Sequence, residues 1–291
     1  NTAKIVTAPE SGTSVLVASN GSTVQVNAGK TLTTNTNVGL VATNGTSTNK
    51  SKAINETNGN INVKGKDATG VYAKATADFE NKGTITVEAP LNEKAVGIFA
   101  TGTGTKVVNS KDIKVLSGNS VGIFGEKSAT VQNAGNIELG TIGSTLKGLI
   151  GIFGESKATA EAVKIENLGG TINVNTESSA GMYANNTSGN IANVTLENTG
   201  TINVNGKKSA GIYAPKSTVS KVGEINLTKD ADGASAVYIE DGGKVTAAET
   251  AVINLGTANQ NRVAYYVKNA SSNVEGTNIG KIMGYGVGLY L

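Results

Sequence analysis

The chain of 291 residues contains no cysteine, histidine or tryptophan, only three prolines, and one arginine, Arg262. Without Cys or His there is no thiolate or imidazole nucleophile, no histidine general base and no Cys/His zinc or iron site, so neither metal nor cofactor is expected. Lack of Cys also suits a chain that crosses an oxidising compartment, where no disulfide can trap it. Net charge is only +3, with lysines spread among the acids. No basic stripe tracks a phosphate backbone, and nucleic acid is not an expected partner. No run approaches the roughly 18 apolar residues of a spanning helix, and Asn1-Thr2-Ala3-Lys4 is not a signal peptide. The chain begins without Met and stops within a repeat, from which an excised segment of a longer protein is expected.

What is abundant is Gly, 38 residues, together with Thr, Asn, Ser and Val. This composition disfavours long helices and favours short strands joined by tight turns. A phrase of the form Gly-aliphatic-aromatic-Ala returns every 24 to 31 residues. It reads Gly70-Val71-Tyr72-Ala73, Gly97-Ile98-Phe99-Ala100, Gly122-Ile123-Phe124-Gly125, Gly151-Ile152-Phe153-Gly154, Gly181-Met182-Tyr183-Ala184 and Gly211-Ile212-Tyr213-Ala214. Weaker copies lie at Val38 to Ala42 before it, and at Ala236 to Ile239, Ala264 to Val267 and Gly288 to Leu291 after it. A fixed period in this range marks a solenoid, whose units bury their apolar faces only against their neighbours.

The clearest unit, Val194 to Ala214, contains three short alternating segments separated by turns. Its middle segment recurs as Ile61-Asn62-Val63, Ile85-Thr86-Val87, Ile113-Lys114-Val115, Ile137-Glu138-Leu139, Ile172-Asn173-Val174, Ile202-Asn203-Val204, Ile225-Asn226-Leu227 and Ile253-Asn254-Leu255. Period-2 alternation places the flanking aliphatics inward as stacked columns. The expected fold is all-β: a right-handed parallel β-helix of about ten coils with three short strands each. At about 4.8 Å per coil it would span roughly 45 to 50 Å. Residues 38–291 form the repeats, and residues 1–37, with strands near Ser14 to Ala18 and Thr23 to Asn27, a degenerate first coil or cap. The turns Asn81-Lys82-Gly83, Asn133-Ala134-Gly135 and Asn198-Thr199-Gly200 read as corners in which Gly supplies positive φ and Asn tolerates it.

Parity in the Gly-aliphatic-aromatic strand puts Val, Ile and Ala on one face, and Gly with the aromatic on the other. If the aliphatics face inward, Tyr72, Phe99, Phe124, Phe153, Tyr183, Tyr213, Tyr238 and Tyr290 form an outer ladder. Two readings stand: a surface for binding a partner, by stacking on sugar rings or docking protein, or a structural ladder that covers the glycines and fixes register. The outward middle-strand position gives Asn62, Thr86, Lys114, Glu138, Asn173, Asn203, Asn226 and Asn254, with one carboxylate that Lys114 can pair. Glycan cleavage needs paired carboxylates, or a base with metal-binding acids, so the chain is not expected to be an enzyme. Asp230-Ala231-Asp232-Gly233 lacks the later ligands of a calcium loop and reads as an acidic turn. The longest corner insertions, Glu88 to Lys94 and Gly140 to Gly148, are candidate recognition loops.

The units Glu197-Asn198-Thr199-Gly200-Thr201-Ile202-Asn203-Val204 and Ser209-Ala210-Gly211-Ile212-Tyr213-Ala214 resemble passenger domains of autotransporters, most closely those of the large fusobacterial outer-membrane adhesins. The resemblance covers residues from about 38 to 291. It implies a secreted β-helix on a Gram-negative cell surface, tethered by a C-terminal membrane barrel that this sequence does not contain. It further implies an adhesin segment whose partners are proteins or glycans on host cells or other bacteria. A passive stalk of the passenger is the main alternative, and a glycan-active β-helix enzyme the third.

Overall fold

The computed structural model describes residues 15–35, 38–90, 93–257, 261–276 and 278–291. They form a right-handed parallel β-helix of about ten coils. Three parallel sheets run its length: sheet A with eleven strands, sheets B and C with ten each. Each coil visits A, then B, then C. A strand's hydrogen-bonded neighbours are therefore its equivalents one coil away: Val96–Thr101 lies between Thr69–Lys74 and Val121–Glu126. The Gly-aliphatic-aromatic phrase forms sheet A, and the Ile-x-Val phrase forms sheet C. Among the described residues the only helices are the 3-10 turns Ile191–Asn193 and Ala248–Thr250.

Leu16–Ser19, Thr23–Val26 and Thr31–Thr34 make a coil that pairs strand for strand with the next. Residues 1–14 and 36–37 of the expected cap lie outside the described residues.

The core is the inward half of each alternation. Ile61, Ile85, Ile113, Ile137, Ile172, Ile202, Ile225 and Ile253 are fully buried and stack in register. Packing identical aliphatics at the coil spacing lets each side chain meet a copy of itself in the same rotamer, which fills space without strain.

The Asn-x-Gly corners do not work as the sequence suggested. Neither Asn81, Asn133 and Asn198 nor Gly83, Gly135 and Gly200 has positive φ. The asparagines point inward at the ends of sheet B strands and join in one buried chain. Each Nδ2 donates to the next Oδ1, from Asn55 to Asn81 at 2.8 Å, then to Asn109 at 2.6 Å, Asn133 at 2.6 Å, Asn167 at 2.7 Å and Asn198 at 2.7 Å. Asn198 closes it by donating to the Val222 carbonyl at 2.6 Å. The other end stops because Val26 stands opposite Asn55, which leaves Asn55 Oδ1 buried without a donor. Glycine is needed for close approach: a Cβ on Gly135 would lie 2.1 Å from the Lys111 carbonyl oxygen, and one on Gly200 2.1 Å from that of Gly170.

Sheet B presents a mixed-charge outer face. Glu166 there is buried, with Lys164 at 2.6 Å and Gln132 at 2.8 Å. Burial opposes its ionisation, but the hydrogen bonds from Lys164 and Gln132 prevail and hold the carboxyl below the usual range. A depressed pKa means stability that is present above the unfolded value, about 4.5, and is lost as pH falls through the folded one. The melting temperature should therefore fall on acidification below about pH 4.5, and less in Glu166→Gln than in the parent. Equal pH slopes for the two proteins would refute this assignment.

Candidate functional site

Sheet A shows which half of the parity argument holds. Ile98 and Ala100 face the core and Phe99 is half-buried on the outside, as expected. Val96 and Gly97 exchange places: Gly97 is buried and Val96 half-exposed, because the strand bends at the glycine. A Cβ on Gly97 would sit 2.6 Å from the Gly122 carbonyl oxygen and 3.3 Å from Val87 in the core. The glycines therefore lie on the inner side against the next coil, and the rings do not cover them.

The expected ladder forms. Tyr72, Phe99, Phe124, Phe153, Tyr183, Tyr213 and Tyr238 follow one another at centroid distances of 4.7 to 5.3 Å. It continues through Tyr266 to Tyr290 at 4.6 and 4.8 Å. In the sequence Tyr266 is obscured by Tyr265, a second aromatic beside it. The register was the available signal: Tyr266 stands opposite Tyr238, and Tyr265 opposite the core residue Val237. Tyr265 is fully buried in the core.

Ring planes within a run lie at 5° to 25°, and the column turns through 84° at Phe99–Phe124 and 90° at Tyr213–Tyr238. Each stacked ring face is occupied by its neighbour, so solvent meets edges and hydroxyls. Such pairs contribute about 0.5–1.5 kcal/mol each beyond their buried area. The stacked runs therefore fit register control, and between Tyr72 and Tyr290 the stack is interrupted at the two perpendicular junctions.

One of those junctions lies in a groove of about 600 Å³. The groove is lined by Tyr183, Tyr213, Tyr238 and Tyr266 on one side, and by the corner residues Gly148, Ser178, Lys208 and Gly233 on the other. Its origin is the outward column next to the aromatics. That column reads Val96, Val121, Ile150, then Ala180, Ala210, Ser235, then Val263. Three small side chains in succession leave open the space that Val or Ile fills elsewhere.

Tyr213 donates a hydrogen bond from its hydroxyl to Glu240, which also accepts one from the Lys268 ammonium at 2.8 Å. Burial raises the Tyr183 and Tyr213 phenols above their ordinary range, and Glu240 reinforces both. They stay protonated hydroxyls at any physiological pH.

The Gly140 to Gly148 insertion meets the same groove: its end, Gly148-Leu149-Ile150, forms one wall. Its base is anchored, with Lys147 bridged to Glu177 at 2.9 Å and Leu146 packed on the core. Its tip holds Ile142, 69% exposed. In the other insertion, Glu88 to Lys94, residues 91–92 lie outside the described residues.

The outward column of sheet C is polar. Lys114 stands opposite Glu138 in register, but Glu138 takes a hydrogen bond from Asn175 at 2.8 Å and forms no ion pair with Lys114. Asn203 donates to Asn173 and Asn226 to Asn203, a polar ladder without a second carboxylate beside Glu138. Asp230 and Asp232 lie in a turn, and the described residues contain no group of three acids placed to hold a metal. Arg262 is buried and donates to the Leu255 carbonyl. Burial pulls its pKa down, and Asp232 and Asp230 oppose that.

Three parallel sheets, inner aliphatic columns and a buried asparagine chain define a right-handed parallel β-helix. The chain belongs to the family described as the BigA third pectate lyase-like domain, which matches twice in overlapping windows, over residues 1–160 and 91–250. Overlapping matches are what a repeat produces, since the same family pattern fits in more than one register. No curated protein and no solved structure matches the chain significantly.

Proposed function

We propose that this chain is an adhesive segment of a bacterial surface protein: a stiff β-helical rod that binds a host-cell or bacterial surface molecule through the groove beside Tyr183, Tyr213, Tyr238 and Tyr266. The observation that carries the reading is the groove itself. It is the place where the aromatic column, the corner insertion and a run of small outward residues coincide. Membership of the BigA family supports a surface location. Autotransporter secretion and a barrel anchor elsewhere in a longer protein complete the proposal. Strands that pair one coil at a time suit growth by stacking outside the cell.

The proposed rod has no catalytic role. The pectate lyase-like class includes enzymes, but the sheet C face offers Glu138 among asparagines, and proton transfer in glycan cleavage needs a second positioned group. A passive spacer is the second reading, favoured by the interior of the stack, where Phe153 has Phe124 on one side and Tyr183 on the other.

The deciding experiment measures concentration-dependent binding of the labelled, soluble chain to epithelial, immune and partner bacterial cells, with an unrelated β-helix as control. Saturable binding is expected. Deleting the loop tip, residues 141–145, while keeping Leu146 and Lys147, should leave the melting temperature unchanged and weaken binding. Binding no greater than the control would leave the spacer reading.

Filling the groove gives a cleaner test. Ala210→Val places at position 210 the side chain that Val121 and Val263 carry in the same column, so stability should change by less than about 1 kcal/mol. Saturable binding should nevertheless be lost. Full binding by a correctly folded Ala210→Val protein would remove the groove from consideration.

A further inference from the structure

The chemistry of the groove narrows its partner to one class, an inference that rests on the adhesive reading. The floor is the interior of sheet A, with Ala210 paired to Ala180 on one side and to Ser235 on the other. Its backbone donors and acceptors are taken up by the coil-to-coil ladder. A peptide lying along the groove finds no strand edge to extend, and loses the main-chain hydrogen bonds that give such complexes their affinity. What remains available is hydroxyl and ring carbon.

At Tyr213–Tyr238 the two ring planes meet at 90°, and this is the one break in the stack within the groove. The apolar C–H face of a sugar ring can lie against aromatic carbon there, with its hydroxyls among tyrosine hydroxyls and the exposed Ser178 at the rim.

Charge settles the remainder. Apart from the tyrosines, Lys208 is the only ionisable residue among the described residues of the groove lining. It is exposed and held at the corner by its amide, which donates to the Asp232 carbonyl at 2.9 Å. Glu177, the nearby corner carboxylate, is bridged to Lys147 at 2.9 Å, and neither it nor Asp230 or Asp232 in the next turn forms an ion pair with Lys207 or Lys208 among the described residues. Beyond the rings the acids are already matched: Glu240 by Lys268 at 2.8 Å and Glu155 by Lys157 at 2.8 Å. The lining therefore offers an anion one cation, Lys208, that forms no ion pair among the described residues.

We infer that the groove binds a carboxylate-bearing sugar, a uronic or sialic acid within a glycan, with its ring against the Tyr213–Tyr238 junction and its carboxylate on Lys208. The test titrates the whole chain calorimetrically with 3′-sialyllactose, trigalacturonate and, as a neutral reference, lactose. The same sugars are then used as competitors in the cell-binding assay.

One acidic sugar should bind about tenfold tighter than lactose and compete with cells, and which one does so identifies the source of the carboxylate. Lys208→Asn, which removes the charge at a residue of positive φ that Asn tolerates, should abolish that preference without changing the melting temperature. Ala210→Val should abolish sugar binding altogether. Equal affinity for lactose, or an acidic preference that survives in Lys208→Asn, would overturn the inference. Cell binding that neither acidic sugar inhibits would overturn the ligand class while leaving the adhesive reading intact. Absence of both cell and sugar binding would overturn both.

Discussion

Gly122→Val should destabilise the helix by about 3 kcal/mol or more, among the largest effects of any single substitution in sheet A. A Cβ at Gly122 would lie 2.6 Å from the carbonyl oxygen of Gly151 and 3.5 Å from both Ile113 and Val115. The first of these is backbone held in the coil-to-coil ladder, so it cannot swing aside as a side chain would. Either two coils separate locally or the strand shifts outward, and each disrupts hydrogen bonds as well as packing. A smaller step should cost much less: Ala236 and Ala264 stand at the equivalent position in later coils. Gly122→Ala should therefore cost about 1 kcal/mol. Urea midpoints for the parent, Ala and Val proteins test the series. Near-parent stability for Gly122→Val would mean that the coils are not in the close contact described.

Asn133→Ala should cost about 3 kcal/mol, because it interrupts the buried asparagine chain near its middle. Asn133 accepts from Asn109 and donates to Asn167, and it also donates to the Gly135 carbonyl at 3.1 Å. Removing it deprives Asn109 of one acceptor and Asn167 of its donor, both fully buried where water cannot substitute. The substitution Asn133→Asp separates hydrogen bonding from volume. It keeps the size but replaces a donor by a buried carboxylate, so it should be worse than Ala at pH 7. Its pKa would be raised in the folded state, so part of the cost is lost as the pH falls toward the unfolded value and the protonated acid regains one of the two donations. Urea midpoints at pH 7 and pH 4.5 measure this. If Asp and Ala are equally destabilised at both pH values, the chain of donors is not what holds this corner.

The two substitutions act on different principles that the sequence writes in the same letters. Glycine recurs in both places: the Asn-x-Gly corners read as turn chemistry, and the phrase containing Gly122 as a strand with its glycine on the outer face. The structure separates them. Positive φ is carried instead by residues such as Asn58, Asn119, Ser178 and Lys208. Gly122 and Gly135 are conventional in φ and serve close approach between coils, and Asn133 serves as a buried relay.

The ladder shows a similar division. Its members are legible from spacing alone, because an in-register parallel stack must bring equivalent residues together. Its meaning is not, since nothing in Tyr213 and Tyr238 as letters says that their planes are perpendicular. Nor does the sequence announce the groove. Ala180, Ala210 and Ser235 look like ordinary variation at a position occupied by Val or Ile in other coils. They become a cavity only when three of them stack beside tyrosines and the Gly140 to Gly148 insertion supplies a wall.

By itself, the sequence determined the period, the three strands per coil, the inner aliphatic columns and the aromatic column. These follow from local alternation repeated at a fixed interval, and local alternation is all that a strand needs to know its faces. The tertiary structure alone decided the inward turn of the glycines, the donor order of the asparagines, the burial of Tyr265 and Arg262, and the position of the groove. Each depends on contacts between residues a full coil apart, and on bends of the strand that reverse which side of the sheet a side chain meets.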